Sequence, residues 1–122
     1  MLYVKLLLVE DKKDLLDLIT LNLKMKGLEV VTASNGLEAL ELLDESVDAV
    51  LTDVKMPKMD GFQLLKQVKK INKSLRVYVM SANYVNLSKA KELGAAGFFK
   101  KASQGFNEAV YKIITKEVTD YF

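Results

Sequence analysis

The 122-residue sequence contains no cysteine and no histidine. The absence of cysteine excludes disulfides, thiol nucleophiles and cysteine-ligated metals. The absence of histidine removes the general base and the transition-metal ligand that proteins use most often. Any metal site in this chain must therefore be built from oxygen ligands, and such ligands favour a hard cation such as Mg²⁺.

The sequence also lacks a hydrophobic run that approaches the roughly 18 residues of a membrane span. Its first residues have neither the cationic opening nor the small-residue cleavage site of a signal peptide. No internal linker, low-complexity tract or diagnostic repeat is present. Because half of the residues are hydrophobic, we expect one soluble, cytoplasmic domain over residues 1–122.

The two halves of the chain differ in charge. Residues 1–61 contain 7 lysines and 12 acidic residues, whereas residues 62–122 contain 11 basic and 4 acidic residues. An uneven solvated surface is the simpler interpretation, and a basic face that meets an acidic partner is the alternative. No recognition motif supports nucleic-acid binding, so the sequence predicts neither nucleic acid nor membrane as a direct partner.

Short apolar runs alternate with segments whose apolar residues repeat at helical spacing. The predicted strands span 4–9, 28–33, 47–52, 77–80 and 97–99. The predicted helices span 15–26, 37–43, 62–72, 87–93 and 106–118. Five βα units with short loops indicate the α/β class. We predict a single-domain, flavodoxin-like (βα)5 three-layer sandwich with a parallel sheet in the order 2-1-3-4-5.

Polar side chains follow four of the predicted strands. They are Glu10 and Asp11 after the first, Asp53 after the third, Ser81 after the fourth and Lys101 after the fifth. The carboxyl ends of parallel strands share one edge, so these groups are expected to converge. Taken singly, each has an ordinary explanation as a helix cap, a turn residue or a solvated lysine. Their joint placement favours a functional site.

The chemistry of such a cluster is specific. Three carboxylates repel one another and require raised pKa values or a cation. Mg²⁺ characteristically binds one or two carboxylates together with waters and a phosphate. A lysine and a hydroxyl beside the ion would complete a clamp for phosphoryl oxygens. The site is therefore predicted to place a phosphoryl group on a carboxylate, which is a known nucleophile toward phosphorus.

Four segments of the sequence resemble the receiver domain of two-component response regulators. They are LLLVED (6–11), LTDVKMPKMDG (51–61), VMSA (79–82) and GAAGFFKK (94–101). The resemblance covers essentially the whole chain, and the pattern Asp-x-x-Met-Pro-x-Met-Asp-Gly is highly specific. It implies a phosphorylatable signalling switch. Such a protein is not an enzyme for other substrates and catalyses only its own Mg²⁺-dependent phosphorylation and dephosphorylation.

The resemblance also implies an acceptor and a metal site. Asp53 would accept a phosphoryl group from the phosphohistidine of a sensor histidine kinase or a phosphotransfer protein. Asp11, Asp53 and the backbone carbonyl of Lys55 would bind Mg²⁺, or Mn²⁺, directly. Glu10 would bind the ion through a water molecule.

A second set of residues is implied to hold the phosphoryl group and to respond to it. Ser81, the backbone amide of Ala82 and Lys101 would bind the phosphoryl oxygens. Ser81 would move toward them, and the aromatic ring of Phe98 would fill the space that it leaves. The face formed by the fourth helix, the fifth strand and the final helix would then change its protein partners.

Three features depart from the usual family pattern. Ala102 follows Lys101 where relatives have proline after a cis peptide bond. The Lys101-Ala102 bond is therefore either cis, at a cost of about 2.5–4 kcal/mol, or trans in a loop of different shape. If Lys101 is misplaced as a result, Lys100 is the alternative phosphoryl ligand. The segment from 81 to 94 is about two residues short, which predicts a short fourth helix. Phe98 lacks the hydroxyl of a tyrosine. Family experience assigns control of phosphoryl lifetime to the positions of Lys55 and Asn83.

Other functions fit the sequence less well. A haloacid-dehalogenase-like phosphatase needs an Asp-x-Asp pair where Glu10 and Asp11 are adjacent, and a flavin-binding module needs a phosphate loop free of this acid pair. A pseudo-receiver that acts as an unphosphorylated scaffold is the principal alternative. No output domain is expected within the chain, which either acts alone or comes from a larger regulator. Tyr121 and Phe122 are expected to pack on the domain or to contact a partner.

Overall fold

A computed structural model describes residues 3–120 of the chain. Within them, five parallel strands form one sheet in the order β2-β1-β3-β4-β5. The strands are β1 (Lys5–Val9), β2 (Glu29–Ala33), β3 (Ala49–Asp53), β4 (Arg76–Ser81) and β5 (Gly97–Lys100). The predicted fold class and strand order are confirmed.

A helix follows each strand. The helices are α1 (Lys13–Met25), α2 (Gly36–Leu42), α3 (Gly61–Ile71), α4 (Leu87–Glu92) and α5 (Phe106–Thr119). The fourth is short, as expected, and a single 3₁₀ turn, Tyr84–Asn86, precedes it. Among the described residues, no helix is both long enough and apolar enough to cross a bilayer. The prediction for Tyr121 and Phe122 lies outside the described residues.

The third strand begins at Ala49, two residues later than predicted. Asp48 explains the difference, because its side chain takes the place of a backbone partner. Its Oδ2 atom accepts a hydrogen bond of 2.9 Å from the backbone N–H of Lys5, while its own N–H donates to the carbonyl of Lys5. The Asp48 carboxylate therefore joins the amino-terminal ends of β1 and β3, just before the regular backbone pairing of the two strands begins.

The sheet separates two apolar clusters, as a three-layer sandwich requires. Alternate residues of β1 face opposite sides: Leu6 and Leu8 belong to the cluster beneath α1 and α5, and Leu7 and Val9 to the cluster beneath α2, α3 and α4. These central-strand residues are at most 1% exposed. Such burial on both faces explains the nearly continuous apolar runs of the sequence.

Strand register brings the polar strand ends to one edge of the sheet. Val9 pairs with Thr52, Asp53 with Met80, and Ser81 with Lys100. The residue after β1, the last residues of β3 and β4, and the residue after β5 therefore lie side by side. The order 2-1-3-4-5 puts β1 and β3 together at the switch point of the sheet, where open α/β sheets bind ligands.

Candidate functional site

Three carboxylates meet at this edge of the sheet. Glu10, Asp11 and Asp53 each offer an oxygen atom within 4.8 Å of the others. The side chain of Glu10 is completely buried and Asp53 is 7% exposed, whereas Asp11 is open to solvent. Sequence reasoning predicted that the three would converge, and the structure brings them together.

Lys101 extends from the loop after β5 into the carboxylate cluster. Its Nζ atom lies 2.7 Å from Glu10 Oε1 and 3.3 Å from Asp53 Oδ2. The backbone N–H of Lys101 donates to the carbonyl of Ser81 at 2.8 Å, which extends the β4–β5 pairing by one residue. The neighbouring Lys100 points elsewhere, with its Nζ atom 5.6 Å from the centre of the Tyr84 ring. In the structure, the ammonium group in the cluster is therefore that of Lys101 and not that of Lys100.

The loop beyond Lys101 is trans throughout, because the described residues contain no cis peptide bond. Ala102 instead adopts a left-handed conformation, with φ of 57°. That conformation costs a residue with a Cβ atom about 1–2 kcal/mol. The loop therefore places Lys101 at the cluster with a trans peptide bond and a strained conformation at Ala102.

Burial and pairing set the protonation of the cluster. Burial raises the pKa of Glu10, and the hydrogen bonds from Lys101 and from the backbone N–H of Lys12 only partly oppose it. Burial alone would lower the pKa of Lys101, but the hydrogen bond to Glu10 and the charge of Asp53 outweigh it and raise that pKa. The ammonium stays charged at neutral pH, and among the described residues Lys101 alone is ion-paired with the cluster.

The loop after β3 is fixed by close backbone contacts. The N–H of Gly61 donates to the carbonyl of Val54 at 2.8 Å, and a Cβ atom on Gly61 would lie only 2.1 Å from the carbonyl oxygen of Asp53. The hydroxyl of Thr52 donates to that same carbonyl at 2.9 Å. Glycine is therefore required at position 61, because any side chain would displace the backbone of the proposed acceptor.

Helix α3 starts in a capping box directly after this loop. Asp60 Oδ1 accepts from the N–H of Gln63 at 2.8 Å, and Gln63 Oε1 accepts from the N–H of Asp60 at 2.9 Å. Such reciprocal bonds satisfy backbone donors that the first helical turn leaves unpaired. The Asp60-Gly61 end of the specific sequence pattern thus has a structural role: it joins the loop to α3.

The carboxylates open into a cleft of about 580 Å³. Ser81, Ala82 and Lys55 line it, as the predicted phosphoryl and metal roles require, and Asn83 and Asn86 line it too. Ser81 ends β4 and is 6% exposed. Its Oγ atom accepts a hydrogen bond of 3.1 Å from Asn86 Nδ2. Sequence reasoning did not select Asn86; the predicted shortness of the segment from 81 to 94 was the available signal.

Phe98 lies on β5 and is half-buried. Its ring centre is 6.0 Å from that of Tyr84, with 35° between the planes. The adjacent Phe99 points to the opposite side of the sheet, where it meets Phe106 edge-on at 6.3 Å. Tyr84 was not predicted as part of this region. It comes from the 3₁₀ turn between β4 and α4.

Comparison with known proteins identifies the family. The family model described as "Response regulator receiver domain" matches residues 6–115. The chain belongs to this family, whose members are signalling switches and not enzymes in the usual sense. The resemblance found in the sequence is thereby confirmed.

Particular relatives agree with this assignment. Sporulation initiation phosphotransferase F of Bacillus subtilis is 36% identical over 83% of this chain and 84% of its own length. The CpxR homolog of Haemophilus influenzae, a transcriptional regulatory protein, is 42% identical over 75% of this chain but only 40% of its own length. The chain therefore matches less than half of that longer relative.

Solved structures show the same architecture. A receiver domain protein from Clostridium thermocellum is 28% identical, with a TM-score of 0.86 over 97% of this chain and 96% of that one. The response regulator TrrA of Thermotoga maritima, in complex with Mg²⁺-BeF, is 27% identical, with a TM-score of 0.82 over 94% of this chain and 98% of that one.

Proposed function

We propose that this chain is a phosphoryl-accepting switch, with Asp53 as the acceptor and a phosphohistidine on a sensor histidine kinase or phosphotransfer protein as the donor. The observation that supports this best is the position of Asp53. It is a nearly buried carboxylate at the end of a central strand, 3.3 Å from the ammonium of Lys101. The proposal takes residues 1–122 as one cytoplasmic receiver domain.

The residues present fit a hard divalent cation. The donor set consists only of oxygen, as Mg²⁺ or Mn²⁺ prefers, and among the described residues only the ammonium of Lys101 is ion-paired with the three acidic side chains. Asp11, Asp53 and the carbonyl of Lys55 would hold the ion directly, and Glu10 through a water. When bound, the ion supplies positive charge that offsets the repulsion between carboxylates and polarises the phosphoryl group. The Mg²⁺-BeF complex of TrrA supports this assignment.

The chain's own groups account for the transfer. A carboxylate oxygen of Asp53 attacks phosphorus, so that a P–O bond forms as the P–N bond to the donor histidine breaks. The ammonium of Lys101, the hydroxyl of Ser81 and the N–H of Ala82 would hold the phosphoryl oxygens. These groups line the same cleft as Asp53, so little rearrangement is needed to reach a bound phosphoryl group.

The response to phosphorylation follows from charge. A phosphoryl group adds roughly −1.5 to −2 charge and strong acceptor oxygens. Ser81 would move toward them, and Phe98, which is half-buried beside Tyr84, would turn inward. The face formed by α4, β5 and α5 would then change its affinity for a downstream protein by a shift between two packings.

The test is phosphorylation with a small donor. The protein is incubated with Mg²⁺ and acetyl phosphate and is weighed intact. We expect a hydroxylamine-labile gain of one phosphoryl group that is absent from Asp53→Ala and is abolished by a chelator of divalent ions. If Mg²⁺ binds but no phosphoryl is gained, the chain is an unphosphorylated scaffold and the proposal is wrong.

A further inference from the structure

Asn86 makes an unusual use of its side chain. It is the last residue of the 3₁₀ turn and directly precedes α4, where a side chain would normally cap the helix. No cap hydrogen bond is made there. The amide Nδ2 instead donates to Ser81 Oγ at 3.1 Å, while Asn83 caps the turn through its bond from the N–H of Val85 at 2.9 Å.

The contact between Asn86 and Ser81 limits which hydrogen bonds the Ser81 hydroxyl can still make. A serine hydroxyl has one hydrogen to donate and two lone pairs to accept. Asn86 occupies a lone pair of Ser81, so the single hydrogen remains available for another acceptor. The cleft that both residues line also contains Asp53. Phosphoryl oxygens can only accept, so a Ser81 that is held as a donor suits them.

We propose that Asn86 is a positioning residue: its amide holds the Ser81 hydroxyl as a donor toward the phosphoryl group and joins that hydroxyl to the first turn of α4. The proposal rests on the function proposed above. Because Asn86 and Leu87 are consecutive, a movement of Ser81 toward a phosphoryl group is passed to α4 through one side chain. The short connection after β4 allows this contact.

Two substitutions separate this role from a structural one. Asn86→Ala removes the donor, and we expect phosphorylation by acetyl phosphate to slow about 3- to 10-fold, as the loss of one hydrogen bond allows. Asn86→Asp keeps the shape but replaces the donor with an acceptor that attracts the Ser81 hydrogen, so the loss should be larger. Because Asn86 makes no cap hydrogen bond to α4, neither substitution removes a helix cap, and the unfolding midpoint of Asn86→Asp should stay near that of the wild type.

The control is a double-mutant cycle with Ser81→Ala. If Asn86 acts through Ser81, then Asn86→Ala has no further effect on the phosphorylation rate in the Ser81→Ala background. The negative charge introduced by Asn86→Asp repels acetyl phosphate whether residue 81 is serine or alanine. The difference between the two effects on the phosphorylation rate therefore reports only the contact with Ser81. A second readout needs neither metal nor phosphoryl: the side-chain amide resonances of Asn86 should shift when Ser81 is replaced by alanine.

The outcomes are distinct. If the wild type gains no phosphoryl group, the proposed function fails, whatever Asn86 does. If the wild type is phosphorylated but the two substitutions are additive, or Asn86→Asp is as active as the wild type, the positioning role is wrong. An unchanged Asn86 amide resonance in Ser81→Ala would also overturn it.

Discussion

The site is built from two segments of very different construction. The acceptor segment, residues 53–61, is held by backbone contacts and a reciprocal capping box. The switch segment, residues 81–102, contains a single 3₁₀ turn, a six-residue helix and a strained alanine. Each segment contains one left-handed residue with a side chain, Lys58 in the first and Ala102 in the second. They differ in backbone packing: Gly61 in the first leaves no space for a Cβ atom, whereas Gly94 in the second has open space around it.

The difference suits the proposed function, in which one segment accepts the phosphoryl group and the other responds to it. A nucleophile must be held in one place, because small displacements of reacting atoms are costly in rate. A region that changes packing must instead have two arrangements of similar free energy. Lys101 joins the segments, since it belongs to the switch segment and pairs with Asp53 at the end of β3, as well as with Glu10 directly after β1.

The strongest test of this contrast compares two glycines. Gly61→Ala would place a Cβ atom 2.1 Å from the Asp53 carbonyl oxygen, and we expect it to lower the free energy of unfolding by about 3 kcal/mol or more. A Cβ atom on Gly94 would have open space around it, so Gly94→Ala should lower the free energy of unfolding only through the positive φ of 88°, by about 1–2 kcal/mol. Urea unfolding of both variants measures the difference. Equal losses would show that the acceptor segment is not the more constrained one.

Lys101→Met should have the next largest effect. It leaves the completely buried Glu10 without its cation, and breaking a buried pair in this way is strongly destabilising. We expect a loss of about 2 kcal/mol, because protonation of the cluster offsets part of the penalty. Excess Mg²⁺ should recover some of the loss, since an ion can replace the missing charge.

Lys100→Met is the matched control for this experiment. Lys100 is the adjacent lysine, but it is exposed and contacts Tyr84 instead of the cluster. Its substitution should change the free energy of unfolding by less than about 0.5 kcal/mol, with no response to Mg²⁺ beyond that of the wild type. Similar behaviour of the two variants would refute the central position of Lys101.

A third comparison uses the side-chain caps of the two segments. Asp60→Ala removes one half of the α3 capping box and should cost about 1 kcal/mol. Asn83→Ala removes the cap of the isolated 3₁₀ turn, which supports far fewer hydrogen bonds, and should cost about half as much. Chemical denaturation gives both values, and a larger loss for Asn83→Ala would reverse the contrast.

The smallest effect concerns the anchor between α1 and α5. Lys26 pairs with Glu108 and lowers the pKa of that carboxyl below its ordinary value of 4.5. A depressed carboxyl pKa stabilises the fold above the unfolded pKa, and the stabilisation is lost as pH falls through the folded pKa. The wild type should therefore unfold at a slightly higher temperature than Glu108→Gln at pH 7, and this difference should shrink as the pH falls below the ordinary carboxyl pKa. Glu92→Gln, on the exposed side of α4, is the control, and a difference independent of pH would contradict the assignment.

The fold was predictable because its signals are local and periodic. The apolar runs of β1 and β3 and the helical spacing in α1, α3 and α5 depend only on burial of neighbouring residues. Element ends were less predictable. The late start of β3 depends on Asp48 reaching Lys5 across 43 positions, and no local pattern encodes that contact.

The candidate site was predictable for a different reason. Strand order alone brings Glu10, Asp11, Asp53, Ser81 and Lys101 to one edge. The sequence did not indicate Asn86 or Tyr84, because their positions depend on how the connection between β4 and α4 folds. It also left the Lys101-Ala102 bond open, and the structure resolves this through a left-handed alanine. The roles of these residues in phosphoryl transfer stay predictions.

The two apolar clusters described above have a consequence for sequence change. The sheet keeps the side chains of one cluster out of contact with those of the other, and mutations at sites without shared partners have additive effects on stability. Phe98 and Phe99 are consecutive, yet each packs on a different side of the sheet. A core substitution beneath α1 and α5 should therefore need no compensating substitution beneath α2 and α3, so the two halves of the core can change in sequence independently of each other.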